Sequence, residues 1–113
     1  MSLKRVAPPA LLLLACAALI PAAALGGGHM AAGHSVVLRE LRFHPPNLTI
    51  NRGDSVTWLW RDSGTEHNVT FQGFHSRTMG HGSYTVRFTR SGTFSYHCTI
   101  HGSEGMRGRI VVR

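Results

Sequence analysis

The sequence predicts an all-β fold, a sandwich or barrel of about seven to eight short strands. Three observations predict it. Apolar and polar residues alternate in short runs, as in SVTWLW, where Val56, Trp58 and Trp60 share one face. Turn signals rich in Gly, Asn, Asp and Pro recur about every ten residues. No segment of the domain carries a helical period.

The elements follow in order from position 35. VVLRELRF (Val36 to Phe43) alternates in part, and His44-Pro45-Pro46-Asn47 breaks it. LTI leads into the Asn51-Arg52-Gly53-Asp54 turn, and SVTWLW follows. RDSGTE (Arg61 to Glu66) reads as a polar loop, HNVTF as a short strand, and Gln72 to Ser83 as a Gly/His/Ser loop. YTVRF places Tyr84, Val86 and Phe88 on one face, and TFSYHC does the same for Phe94, Tyr96 and Cys98. GRIVVR closes the chain. The expected core is Leu38, Leu41, Phe43, Leu48, Ile50, Val56, Trp58, Val69, Phe71, Val86, Phe88, Phe94, Tyr96, Ile110 and Val112.

Before this domain the sequence has a different character. Lys4 and Arg5 precede an apolar run, Ala10 to Ile20, and Pro21 and three alanines follow. A basic start, a short apolar stretch and a small-residue zone are the marks of a secretory signal. The run is too short to span a bilayer as a helix, which needs about 20 residues. Residues 1–24 are therefore expected to be a cleaved signal, with a second cleavage position at 26/27. Lipidation at Cys16 is the weaker alternative. Residues 25–34, LGGGHMAAGH, read as a flexible mature N-terminus, and 35–113 as the folded domain. The expected location is periplasmic, extracellular or at the cell surface.

Charge narrows the partners. The 113-residue chain has a formal net charge of +7. Without Lys4 and Arg5, ten arginines stand against five acids, a net of +5. An anionic partner is favoured, such as an acidic protein, but the arginines are spread rather than clustered. Nucleic acid is a poor match for an exported chain, and a membrane matters only as a place where a partner resides. A monomer is expected.

Cysteine usage poses the chemical question. With Cys16 in the leader, Cys98 is the lone thiol of the mature chain, and an exported thiol invites oxidation unless it is buried or bound. It lies in FSYHCTIHGSEGM, with His101 three residues on and Met106 five beyond that. A strand-to-strand loop can turn these three side chains to one point. His67, opening HNVTF after a polar loop, fits as a fourth ligand from another strand end. Two imidazoles, a thiolate and a thioether suit one copper ion. A His₂Cys set with a weak axial methionine is the blue-copper electron-transfer arrangement. Zinc prefers a second thiolate or a carboxylate to a thioether, and iron–sulfur clusters need more cysteines.

These residues carry a family resemblance. C-x₂-H-x₄-M in YHCTIHGSEGM resembles the ligand loop of plastocyanin-type cupredoxins. FHPPNLTINRGDSVTWLW followed by HNVTF is similar to the family's F-x-P…GD-x-V-x-W…HN segment. The agreement runs from about Val36 to Arg113. The resemblance implies a Greek-key β-sandwich with one type 1 copper held by His67, Cys98, His101 and Met106. It implies that Asn68 ties the two ligand loops together. The interval between His67 and Cys98 is shorter than in plastocyanin, so a strand or excursion is expected to be missing there. Plant plastocyanins are acidic and this chain is basic, so their docking partners do not transfer.

Other residues invite chemistry less strongly. His97 alternates out of phase with Cys98 and should face away from the metal. It and His101 are candidates for an electron route. Multicopper oxidases need a histidine directly after the cysteine and H-x-H pairs; Thr99 stands in that place and the sequence has no H-x-H. His75, Met79 and His81 share the loop FHSRTMGH and are candidate weak copper ligands, as is His29 after Gly27-Gly28. The functional expectation is a non-enzymatic carrier of single electrons, with redox proteins docking at the His101 pole. The alternative is an exported copper-handling protein: a chaperone, buffer or resistance factor.

Overall fold

The computed structural model describes residues 30–113, so the expected signal segment, the expected cleavage positions, Cys16 and His29 lie outside the described residues. Nine strands form there: β1 (Gly33–Arg39), β2 (Arg42–His44), β3 (Asn47–Ile50), β4 (Ser55–Trp60), β5 (Thr70–Phe71), β6 (Phe74–His75), β7 (Gly82–Arg87), β8 (Gly92–His97) and β9 (Arg107–Val112). They make a four-stranded sheet in the order β2-β1-β4-β7 and a five-stranded sheet in the order β3-β9-β8-β5-β6.

The two sheets face each other across one core, as the alternation predicts. In β4, Val56, Trp58 and Trp60 are buried and the intervening residues are half-buried. Trp58 is the hub: its ring meets Phe71 at 5.7 Å and Tyr96 at 5.3 Å, both edge-on and both from the opposite sheet. Edge-to-face aromatic pairs add to the area they bury. Most of the expected core is buried, with Leu48, Val86 and Phe94 packed at its margin. Val36, Trp60, Cys98 and Met106 join it.

Several details depart from the sequence expectation. Pairing is mixed: β1 runs parallel to β4, and β3 parallel to β9. Each parallel pair is joined through intervening strands, and that permits a crossover. The chain leaves one sheet after β2, passes the cis His44-Pro45 bond and enters the other sheet as β3. The strand β1 begins at Gly33, inside the stretch expected to be flexible, because it pairs with β4 from Ser55 onward. His34 Nε2 also lies 3.0 Å from the buried carboxylate of Asp54.

VVLRELRF is not one strand but a hairpin. Glu40 and Leu41 turn it with φ of 54° and 57°, and so Leu41 sits in the turn rather than the core. Two consecutive left-handed residues give the tight turn that suits twisted antiparallel strands, but non-glycine residues adopt it at a cost of about 1–2 kcal/mol each. The carboxylate of Asp62 offsets that cost by accepting the N–H of Glu40 at 2.8 Å and of Leu41 at 3.2 Å.

Candidate metal centre

His67, Cys98 and His101 converge at one end of the sandwich. One ligand atom from each lies within 4.8 Å of the other two, and among the described residues no other three His, Cys, Asp or Glu side chains do so. Nδ1 of His67 is 3.1 Å from Nδ1 of His101, and Cys98 Sγ is 4.0 Å and 3.7 Å from the same two nitrogens. His67 and Cys98 are fully buried, whereas His101 is half-buried.

Each side chain is placed by its own element. Cys98 follows the end of β8 in phase with Tyr96, so the strand's alternation drives it inward. His101 precedes a short 3-10 turn, Gly102–Glu104, and its carbonyl accepts the N–H of Glu104 and of Met106. Gly105 ends that turn at φ 97°, a left-handed value that favours glycine. The turn brings Met106 back beside Cys98, whose N–H donates to the Met106 carbonyl at 3.1 Å. Met106 is fully buried.

Two arginines hold this loop from outside. Arg42 donates to the Glu104 carbonyl at 3.1 Å, and Arg107 donates to the Gly102 carbonyl at 3.0 Å. His97 lies on the other face of β8 from Cys98 and packs beside Gly102, where an added methyl group would meet its ring at 3.3 Å. It takes no part in the three-residue cluster.

His67 is fixed at every polar atom. Its backbone exchanges hydrogen bonds with Met79 at 3.0 and 3.1 Å, and its carbonyl also accepts the indole N–H of Trp60 at 3.1 Å. Its ring donates Nε2–H to Asp62 Oδ2 at 2.8 Å, and this leaves Nδ1 as the acceptor facing Cys98. Burial by itself would raise the Asp62 pKa. The Glu40 N–H, the His67 ring and the Leu41 N–H together outweigh it and hold the carboxyl below its ordinary value.

Asn68 joins the two ligand segments. Its Oδ1 accepts the N–H of Thr99 at 3.0 Å and the hydroxyl of Thr70 at 2.8 Å. Its Nδ2 donates to the hydroxyls of Thr99 at 2.7 Å and Thr78 at 3.0 Å. The residue after one histidine is thereby bonded to the residue after the cysteine.

The FHSRTMGH loop makes no second cluster. His75 is exposed on β6 with Nδ1 on the Ser76 carbonyl, and His81, two residues after Met79, is exposed as well. Neither joins any group of three donors among the described residues. Met79 instead serves the centre through its backbone bridge to His67. Asp62, Trp60 and Met79 were not legible as supports of the site. Only the polar loop around Asp62 hinted at one.

The donor chemistry fits copper. A buried thiol with two imidazole nitrogens on one point is a His₂Cys set. No carboxylate joins the three, for Asp62 is bonded to the outer nitrogen of His67.

Comparison with known proteins agrees with the geometry. The family model of copper binding proteins, plastocyanin/azurin family, matches residues 30–113. Plastocyanin of Tetradesmus obliquus is 33% identical over 87 residues, 65% of this chain and 59% of that protein. Plastocyanin of Scenedesmus fuscus is 32% identical, with 65% of this chain and 88% of that protein aligned. Amicyanin of Paracoccus denitrificans is 36% identical over 92 residues, 74% of this chain and 68% of that protein. A solved structure of an oxidised amicyanin mutant superposes with a TM-score of 0.64 at 32% identity, over 70% of this chain and 80% of that one. A Cu(I) mutant of amicyanin gives 0.65 at 32% identity, over 72% and 82%.

Proposed function

Because the chain belongs to the plastocyanin/azurin family of copper-binding proteins, we propose that it is an exported, non-enzymatic carrier of single electrons. The observation that carries this reading is the convergence of His67 Nδ1, Cys98 Sγ and His101 Nδ1 in a cluster of which only His101 reaches solvent. Bound copper supplies a one-electron couple between Cu(I) and Cu(II). The residues supply the rest. Cys98 offers the thiolate, His67 and His101 offer their Nδ1 atoms, and Met106 offers the thioether as the fourth, weaker ligand.

Rigidity is what the surrounding bonds contribute. Asp62, Trp60 and Met79 hold His67, and Asn68 fastens that segment to the cysteine loop. A site held this firmly changes little with oxidation state, which keeps electron exchange fast. The half-buried ring of His101 is the proposed port for electrons, and an acidic redox protein the proposed partner there. The copper-handling alternative gains nothing from the FHSRTMGH loop, whose histidines join no three-donor group among the described residues.

The test is spectroscopic. Titration with Cu(II) is expected to saturate at one ion per chain with an intense visible band and a type 1 EPR signal that bleaches reversibly on reduction. Colourless uptake of several Cu(I) ions per chain, without that band, would overturn the carrier reading.

A further inference from the structure

One side of the sandwich has an opening shaped like a strand. The strand β7 pairs with β4 alone, and β8 meets β5 only through Tyr96 and His97. Thr93 to Ser95 thus have β9 on one side and, among the described residues, no strand on the other. Unpaired strand edges present rows of N–H and C=O groups that accept another extended chain.

The opening is floored by aromatic rings. Phe74 is 37% exposed and stacks on Phe71 at 4.5 Å, and Phe94 packs at the core margin. Two grooves, of about 240 and 420 Å³, meet here and share Phe74, Phe94 and Arg90. The guanidinium of Arg90 lies 5.8 Å from the Phe94 ring centroid, and Arg87 lines the first groove. Neither arginine has an ion-pair partner among the described residues, and no carboxylate lines either groove.

We propose that this strip is a docking surface for an extended acidic segment of a partner protein. The segment adds as a strand along Thr93–Ser95. Its apolar side chains lie on Phe74 and Phe94, and its carboxylates meet Arg87 and Arg90. Charge selects this occupant. The first thirty residues of the chain contain no Asp or Glu but do contain Lys4 and Arg5, so they match the arginines poorly. A second copy carries the same +7 charge and the same arginines, and like charges in register repel. Thr93 to Ser95 precede Cys98 by three to five residues, roughly 10–16 Å along a strand, so an occupant leaves His101 clear.

The experiment is an NMR titration of the copper-loaded and the metal-free protein with a blocked heptapeptide, Glu-Val-Glu-Phe-Glu-Val-Glu. Saturable binding is expected, with shifts across Thr93–Ser95 and new exchange protection at the amides of Thr93 and Ser95, which face the open edge; Phe94 faces Ile110 of β9 and its protection stays unchanged. Arg90→Glu and Arg87→Glu are each expected to weaken it about tenfold while the visible band stays unchanged. The proposal is overturned if no saturable binding occurs, as arginines that merely guard the edge would give. It is overturned equally if the shifts centre on His101, if a peptide with Lys in place of Glu binds as well, or if both charge reversals leave affinity intact. Concentration-dependent dimers through this strip, or amides of Thr93 and Ser95 already protected in the free full-length chain, would name a different occupant. The metal-free arm keeps the outcome separate from the copper reading.

Discussion

Asp62 Oδ2 sits 2.8 Å from Nε2 of His67, and the same carboxylate caps the strained Glu40-Leu41 turn. One side chain therefore stabilises a hairpin of the first sheet and orients a metal-binding ring. The two tasks reinforce each other. The turn's N–H groups hold the carboxylate still, and a still carboxylate fixes the imidazole with Nδ1 toward Cys98.

Asp62→Asn separates charge from shape. The amide has one acceptor oxygen where the carboxylate has two, so at least one of the three N–H groups loses its acceptor. Stability is expected to fall by about 1–2 kcal/mol in chemical denaturation. Removing a negative charge near the metal disfavours Cu(II), so the reduction potential is expected to rise by roughly some tens of millivolts. Voltammetry giving an unchanged or lowered potential would refute the electrostatic half of this account.

Asn68→Ala removes four side-chain hydrogen bonds, two that fasten the His67 segment to Thr99 and one each with Thr70 and Thr78. Asn68 is 4% exposed, so water does not readily replace what is lost. The expected cost is about 2–4 kcal/mol, read from urea unfolding of the metal-free protein. A loss below half a kcal/mol would mean that the loops are held by packing alone.

Cys98→Ser keeps a small polar group at the same place and removes the sulfur. The sandwich is expected to stay folded, with metal-free stability within about 1 kcal/mol of the parent. The intense visible band of the copper-loaded protein should vanish. A retained band would exclude thiolate ligation.

The fold was legible in the sequence because it rests on local periodicity, and the His67, Cys98 and His101 cluster because the resemblance and the residue chemistry pointed to it. Strand alternation put Val56, Trp58, Tyr96 and Cys98 on inward faces, and the spacing of Cys98 and His101 marked a loop that turns both toward one point. The structure adds what alternation cannot carry. The Glu40-Leu41 turn has none of the Asn-Gly chemistry that announces such a turn, because its support comes from Asp62, more than 20 positions away. The parallel pairs depend on how the chain crosses between sheets after β2. His75 and His81 looked like neighbours in sequence, yet they are exposed on either side of Met79, whose backbone turns toward His67.

Gly108→Ala tests the tightest backbone approach near the site. A methyl group there would lie 2.6 Å from Cζ and Oη of Tyr96 and 2.9 Å from the Pro46 carbonyl oxygen. That carbonyl is itself held by the Arg109 N–H at 2.8 Å, so the backbone has little room to yield. The expected cost is about 1–3 kcal/mol in thermal or urea unfolding. Tyr96→Phe in the same chain should recover only part of it, since Cζ remains; full recovery would show that the hydroxyl alone makes the clash.

Tyr96 gives the chain a sensitivity to high pH. Its hydroxyl is buried without a hydrogen-bond partner, and burial pushes the phenol up to about 12. The nearby indole N–H of Trp58 opposes that shift, and burial is the larger of the two effects. The sign follows from where the proton is held. Below pH 10 the phenol is neutral in both states and folding is unaffected. Between pH 10 and about 12 the unfolded chain loses the proton while the folded one keeps it, so stability falls by up to about 1.4 kcal/mol per pH unit. Tyr96→Phe is expected to remove most of that slope and to stay within about 1 kcal/mol of the parent at neutral pH, because the lost hydroxyl had no partner. Urea unfolding of both proteins from pH 7 to 12 measures it. An unchanged slope in the phenylalanine variant would place the alkaline sensitivity elsewhere.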